Sequence, residues 1–253
     1  MQPIQGGAAM YLTIDGKKIQ ANPGQSLLDL IQELGLNGNS LCDKPLAAKI
    51  AGEVFTLNYI PVRETDACAD HPLVRRAMEA SNGEVRLLYY GDEMGKECYL
   101  RTAWFVIFLA LRQLWPSAVS KMNCTLGSSV YIEVKGAEDF SVSRLKQRIA
   151  ELVMEDIPLI RRRVSREDAM QRYSADGQPD KARLLRWRKL DYFDEYFHED
   201  FADYYYGEMM PSTSWLTVWD VVAADGGFVF VYPDDRNPDV LANLLNICNV
   251  STY

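Results

Sequence analysis

The sequence predicts an α+β fold in two units, a first unit of short strands around one helix and a second of mixed helices and strands. An Asp15-Gly16 turn between two alternating segments indicates a β-hairpin, because Gly accepts a positive φ at little cost. The nine apolar residues at 103–111 indicate a buried helix, since a membrane span needs about 20. We therefore expect no membrane partner.

The first unit follows the order hairpin, helix and further strands. Strands are predicted at 11–14 and 17–21, on either side of the turn. A helix is predicted at 27–34, starting after Ser26 and ending at Gly35, a residue suited to a left-handed cap. Further strands are predicted at 46–50, 54–59 and 84–90. This order is typical of a β-grasp module.

The second unit is predicted to begin near Gly91 with a long helix at 96–115, which a proline ends. A helix at 165–173 is predicted from a capping box formed by Ser165 and Asp168. Further helices are predicted at 141–155 and 181–189, and strands or extended segments at 129–134, 158–164, 215–223 and 228–232.

These elements divide the 253-residue chain into four predicted parts, a length that fits about two domains. A flexible tail at 1–9 precedes a β-grasp module at 10–90, which carries a polar insertion around 63–83. A mixed α/β domain occupies 91–238, and a tail follows at 239–253.

Composition limits the classes of function. The chain is 48% hydrophobic and carries a formal net charge of −8, so it is a poor general nucleic-acid binder, although a local basic patch could still bind phosphate. Its five cysteines are scattered, with no two closer than 26 residues, which excludes a CxxC zinc module and argues against a disulfide framework. We expect a reduced, cytoplasmic protein.

Motifs for phosphate and metal chemistry are incomplete. The nearest match to the phosphate loop GxxxxGK(S/T), at 91–97, is one residue short between its glycines and places Glu97 where a hydroxyl must meet Mg²⁺. His71 and His198 each lack a second His or a Cys at ligand spacing. We expect no catalytic residue, no metal and no cofactor in this chain.

Charge is segregated in the second unit. Residues 161–189 carry ten basic and four acidic residues, whereas residues 191–208 carry seven acids and no Lys or Arg. Either these faces neutralise each other, or the basic segment contacts phosphate or RNA. The candidate contacts are Arg161, Arg162, Arg163, Arg166, Arg183 and Arg186. The aromatic residues of 192–206 could stack bases or form core and interface.

The first unit resembles a TGS domain, the small β-grasp unit of threonyl-tRNA synthetases and certain GTPases. The matching residues are the hairpin, PGQSLLD at 23–29, LAAK at 46–49 and LNY at 57–59. The second unit resembles the second additional domain that follows TGS in threonyl-tRNA synthetase, through LWP at 114–116 and ADYYYGEMMPST at 202–213.

In the synthetase, that domain hydrolyses mischarged tRNA with an HxxxH pair on its long helix and a CxxxH pair before a Pro-x-Thr turn. By resemblance, the first pair falls here at Arg101 and Phe105 and the second at Tyr205 and Met209. Phe and Met cannot accept a proton or bind a hard metal, and Arg stays protonated. The resemblance therefore implies a domain without editing activity.

The same positions could form a ligand-binding cleft instead. We expect Arg101, Tyr205 and Met209 to line it, with Arg101 holding a phosphate and Tyr205 stacking a base or sugar. The competing interpretation is that packed side chains fill the lost site.

Two runs, YYYGEMMPST at 204–213 and FVFVYP at 228–233, also resemble the N-terminal half of a bacterial uridine kinase-like nucleoside kinase. In that family, a TGS domain and a degenerate synthetase-like domain precede a P-loop kinase domain. The resemblance implies a regulatory or ligand-binding accessory region, with a C-terminal kinase domain in the same polypeptide that uses ATP and Mg²⁺.

Two alternatives stay open. The first is a stand-alone RNA-, tRNA- or nucleotide-binding module related to the N-terminal domains of threonyl-tRNA synthetase. The second is a residual hydrolase that uses His198 with Asp200, although the acidic neighbours of His198 also fit an exposed helix face. The sequence leaves oligomer formation open.

Overall fold

The computed structural model describes residues 10–62, 83–125, 127–175 and 179–243. The chain divides into a larger unit, Met1–Pro158 with Glu208–Tyr253, and a smaller unit, Leu159–Gly207. The predicted tail at 1–9 and nearly all of the insertion around 63–83, with His71, lie outside the described residues. The predicted domain boundaries stay predictions.

The larger unit begins with a five-stranded mixed sheet of order β2-β1-β5-β3-β4. Its strands are β1 (Met10–Ile14), β2 (Lys17–Ala21), β3 (Ala47–Ile50), β4 (Glu53–Phe55) and β5 (Glu84–Leu88). Strand β1 pairs antiparallel with β2 and parallel with β5. Asp15 and Gly16 both take positive φ, 42° and 81°, which confirms the predicted two-residue hairpin turn.

Helix α1 (Leu27–Glu33) begins and ends as its local sequence predicts. The Asp29 N–H donates to Ser26 Oγ at 3.2 Å, and the Asp29 carboxylate accepts the Ser26 N–H at 2.8 Å. This reciprocal capping box satisfies two backbone donors at the helix start. Gly35 follows the helix at φ 64°, in the left-handed region predicted for it.

The larger unit continues with helix α2 (Glu93–Leu114), strands β6 (Val119–Thr125) and β7 (Ser129–Lys135), and helix α3 (Val142–Met154). The apolar segment of α2 is buried, as predicted. Strand β6 was not predicted, because most of its side chains are exposed and its residues show no apolar alternation. No helix in the described ranges is long and apolar enough to cross a membrane.

The smaller unit contains a three-stranded antiparallel sheet of order β10-β9-β8 and two helices. Its elements are β8 (Arg161–Ser165), α4 (Arg166–Ala175), α5 (Pro179–Leu185), β9 (Tyr192–His198) and β10 (Phe201–Asp203). Ser165 caps α4 by accepting the Asp168 N–H at 3.0 Å, as predicted. The predicted helix at 181–189 stops at Leu185, and the predicted helix face around His198 is wrong, because His198 ends a strand.

The larger unit closes with β11 (Asp220–Ala224) and β12 (Gly227–Val231), which complete an antiparallel sheet of order β11-β12-β7-β6. The predicted strand at 215–223 begins only at Asp220, because a 3₁₀ turn occupies Thr213–Trp215. Helices and mixed or antiparallel sheets together confirm the predicted α+β class.

Candidate functional site

Arg101 lies on α2 with its guanidinium already engaged. Its Nη1 donates to the Glu208 carbonyl at 3.2 Å, and its Nη2 pairs with the Glu97 carboxylate one turn earlier. The side chain is 19% exposed. An incoming phosphate would therefore have to displace a carboxylate from Arg101, which weakens its predicted role as a phosphate ligand.

The side chains around Arg101 are packed rather than open. Phe105 and Met209 are fully buried, and Thr102 Oγ1 accepts the Met210 N–H at 3.0 Å while donating to the Cys98 carbonyl. These contacts favour the interpretation that packed side chains fill this region of the larger unit.

Tyr205 belongs to the smaller unit, whereas Arg101 and Met209 belong to the larger one. Burial raises the pKa of the Tyr205 phenol well above its ordinary value, with the Asp203 carboxylate as a second cause. The cleft predicted from these three residues stays a prediction.

A metal ion would need a group of His, Cys, Asp or Glu side chains within the described ranges. No group of three or more His, Cys, Asp or Glu side chains there could hold a metal ion. His198 pairs across the β9–β10 turn with Phe201, and Glu199 in that turn takes a positive φ of 51°. Asp200 is exposed in the same turn.

The arginines of β8 face the acidic residues of β9 across the ladder. Arg162 lies opposite Glu195, and Arg163 lies opposite Asp194. Arg162 Nε donates to Glu195 Oε1 at 2.8 Å, and Arg163 binds both Asp194 oxygens, at 2.8 and 3.1 Å. These pairs favour mutual neutralisation for Arg162 and Arg163.

Glu195 is the most buried acid of this ladder, with no exposed side-chain surface. Its second oxygen accepts a hydrogen bond from Arg172 on α4, so two guanidinium groups flank one buried carboxylate. Such an arrangement satisfies the buried charge and joins α4 to the sheet.

The aromatic residues of 192–206 range from buried to exposed. Phe193 packs edge-on against Tyr173, with ring centroids 6.3 Å apart, and against Tyr204, at 5.0 Å. Phe193 and Tyr196 are buried, whereas Tyr206 is 75% exposed. Core packing thus describes Phe193 and Tyr196, while the other aromatic residues of the segment keep exposed or half-exposed surface.

Apart from the arginines of the β8–β9 ladder, several basic residues lie on α4, on α5 and in the turn that follows α5. Arg166 Nη1 donates to the Arg188 carbonyl at 2.8 Å, and Arg183 is 71% exposed, with Asp180 3.6 Å away. A groove of about 350 Å³ is lined by Arg166, Glu167, Met170, Gln171 and Arg186.

The segment 183–189, which we call the basic turn, has four basic residues and no acid. It also carries an exposed aromatic residue, Trp187, whose surface is 84% accessible. The charge pattern of the sequence points to the cations but not to Trp187, because a predicted helix to 189 gives no reason to expect an exposed indole. The available signal was a Trp flanked on both sides by arginines.

No family model matches this chain. It is 25% identical over 203 residues to a threonine–tRNA ligase of Clostridium kluyveri, which covers 79% of this chain and 29% of the ligase. It is 24% identical over 228 residues to the ligase of Syntrophomonas wolfei, covering 88% of this chain and 32% of the ligase. Its homologues are threonine–tRNA ligases.

The chain spans about three tenths of the length of the curated relatives it matches. These homologues overturn the prediction of an accessory region of a uridine or nucleoside kinase, because the relatives that cover most of the chain are tRNA ligases. The expectation of a following kinase domain that uses ATP and Mg²⁺ depended on that prediction, so it loses its support as well. The alternative, a module related to threonyl-tRNA synthetase, fits the homologues.

Proposed function

We propose that this chain is an RNA-binding module that binds tRNA without editing it. The observation that carries the proposal is the basic turn, which has four cations and no acid of its own in a chain of net charge −8. Relatives named threonine–tRNA ligase act on tRNA, and they cover most of this chain. tRNA is therefore the ligand class that joins the homology to the basic turn.

The absence of editing follows from side-chain chemistry. At the positions that the resemblance assigns to the hydrolytic pairs, Arg101 is bonded to Glu97 and Glu208, and Phe105 and Met209 are buried. The side chains of Arg101, Phe105 and Met209 cannot take a proton from water or hold a hard metal. Binding without hydrolysis is the function that these residues support.

The β-grasp assignment of 10–90 is part of this proposal. The sheet order β2-β1-β5-β3-β4, with β1 and β5 parallel and α1 after the first hairpin, supports a TGS-like module. Asn58 Nδ2 donates to the Pro211 carbonyl at 2.8 Å, and Tyr90 OH donates to the Pro233 carbonyl at 3.1 Å. These bonds fix the module against the rest of the larger unit.

The test is tRNA binding as a function of salt, followed by fluorescence anisotropy with uncharged tRNA. Four cations at phosphates predict a slope of log K against log salt of about −3. The double variant Arg183→Ala/Arg186→Ala should lose affinity about tenfold at low salt and flatten the slope by about 1.5, half of its full value.

The matched control is Lys18→Ala/Lys121→Ala, which removes two exposed cations from the larger unit and changes the net charge equally. It should leave tRNA affinity unchanged. A salt-independent affinity, or equal losses in both double variants, would contradict the proposal. Deacylation of seryl- or threonyl-tRNA that disappears in His198→Ala would instead favour a hydrolase.

A further inference from the structure

We infer that Trp187 is a stacking platform for an unpaired RNA base, with the flanking cations of the basic turn holding the adjacent phosphates. The inference rests on the proposed function and names the part of the RNA that the smaller unit recognises. It concerns Trp187, a residue outside the positions that the resemblance assigns to editing.

The indole is presented from an ordered turn. The Arg186 N–H donates to the Arg183 carbonyl at 3.3 Å, the Trp187 N–H to the Leu184 carbonyl at 3.3 Å, and the Arg188 N–H to the Leu185 carbonyl at 3.1 Å. Leu185 is 4% exposed and packs in the core of the smaller unit. Leu185 thus anchors the turn in the core, while the indole of Trp187 stays exposed to solvent.

An indole that is 84% exposed is unusual, because Trp is highly buried on average. Leu184, 65% exposed, and Leu190, 45% exposed, lie on either side of Trp187 in the sequence. Apolar surface of this kind marks a contact site when it is rimmed by polar groups. The charged residues of the basic turn are all cations, although Asp180 and Asp191 lie just outside it, so the turn favours an anionic partner.

The cations are placed for a single strand. Arg183, Arg186 and Lys189 are exposed, and Arg186 also lines the groove that it shares with the Arg166–Glu167 ion pair. The groove volume, about 350 Å³, lies in the lower range of small-ligand pockets and leaves room for a group of nucleotide size. A stacked base on Trp187 would put its own phosphates beside these guanidinium groups.

Unpaired RNA fits this surface better than a duplex or an acidic protein. Every base has a π-face, so an indole can stack on any of them, but paired bases inside a duplex present no free face. An acidic protein would match the cations but would leave the planar face of Trp187 without a specific partner. The structure therefore favours a single-stranded segment.

The experiment compares two RNA probes with the full chain. One is a short oligouridylate, whose bases stack weakly on each other, and the other is a blunt RNA duplex of equal length. Trp187→Ala should weaken oligouridylate binding at least about fivefold and change duplex binding less than about twofold. Trp187→Phe should recover part of the loss, because a smaller aromatic face remains.

Tyr206→Ala is the matched control, since Tyr206 is 75% exposed in the same unit but lies outside the basic turn. It should leave both affinities unchanged. Thermal unfolding of Trp187→Ala checks that the exposed substitution leaves the fold intact.

The outcomes separate the two proposals. Salt-dependent tRNA binding that survives Trp187→Ala, or equal losses for oligouridylate and duplex, overturns the stacking platform and leaves the proposed function standing. Absence of any RNA binding by the unmodified chain overturns both. If the chain binds an acidic protein, loses that binding in Trp187→Ala and binds no RNA, the stacking platform is also overturned.

Discussion

Cys98 shows how burial sets the chemistry of one residue. It lies on α2 with no exposed surface, packed with Ala47 and Leu88. Burial raises the pKa of its thiol to about 12, although the nearby Arg101 guanidinium acts in the opposite direction. A thiol in this state is nearly all protonated at neutral pH and is a poor nucleophile.

We therefore expect Cys98 to resist alkylation in the folded protein at pH 8. From ionisation alone, its reaction with iodoacetamide should be about a thousandfold slower than that of a free thiol. Peptide mass spectrometry measures the reaction at each site, and the exposed Cys42 and Cys124 are internal controls. Labelling of Cys98 at the rate of Cys42 before unfolding would show that the thiol is not buried.

At the scale of elements, the helix starts and the hairpin were predictable, whereas half of the smaller unit was not. Ser26 and Asp29 bond within three residues of each other, so the start of α1 is a local property. Strand β9 carries Asp194 and Glu195 in mid-strand, and no alternation of apolar residues marks it. The segment is a strand because it pairs with β8, whose arginines lie opposite these acids.

The β8–β9 ladder gives a prediction with a neighbouring control. Glu195→Ala should lower the free energy of unfolding by about 3 kcal/mol, because it leaves Arg162 and Arg172 without their buried carboxylate. Asp194→Ala removes a more exposed acid from the same strand and should cost less than about 1 kcal/mol.

Urea denaturation of both variants measures the difference. Equal losses for Glu195→Ala and Asp194→Ala would mean that burial of the carboxylate does not distinguish the two pairs.

At the scale of the whole molecule, several buried phenols make stability depend on alkaline pH. Burial is the main cause that raises the pKa of Tyr90 and Tyr99 in the larger unit, and of Tyr173 in the smaller one. The folded chain keeps these protons above pH 10, while the unfolded chain releases them. Because the unfolded state then binds fewer protons, stability falls as pH rises past the unfolded pKa.

Tyr173 tests this dependence, since its hydroxyl is buried with no hydrogen-bond partner among the described residues. Tyr173→Phe should raise the free energy of unfolding by about 1 kcal/mol at pH 8, because it removes an unsatisfied polar group. Between pH 9 and 11 the variant should lose about 1.4 kcal/mol less than the unmodified chain. Urea denaturation across this range measures both values, and an unchanged alkaline loss would contradict the prediction.

Local features of the fold could be predicted from neighbouring residues alone. The Asp15-Gly16 hairpin, the cap at Ser26 and the positive φ of Gly35 depend on neighbours a few residues away. The proposed absence of editing also rests on residue type, because Arg101 and Phe105 stand where the resemblance places a histidine pair.

Which cations pair with acids inside the fold could be read only from the tertiary structure. Arg162, Arg163 and Arg183 have the same chemistry, yet the first two bind acids across a ladder while Arg183 is 71% exposed, with Asp180 3.6 Å away on its own helix. The physical reason is that ion pairing and burial depend on residues some 30 positions apart in the chain, which only the folded ladder brings within hydrogen-bonding distance.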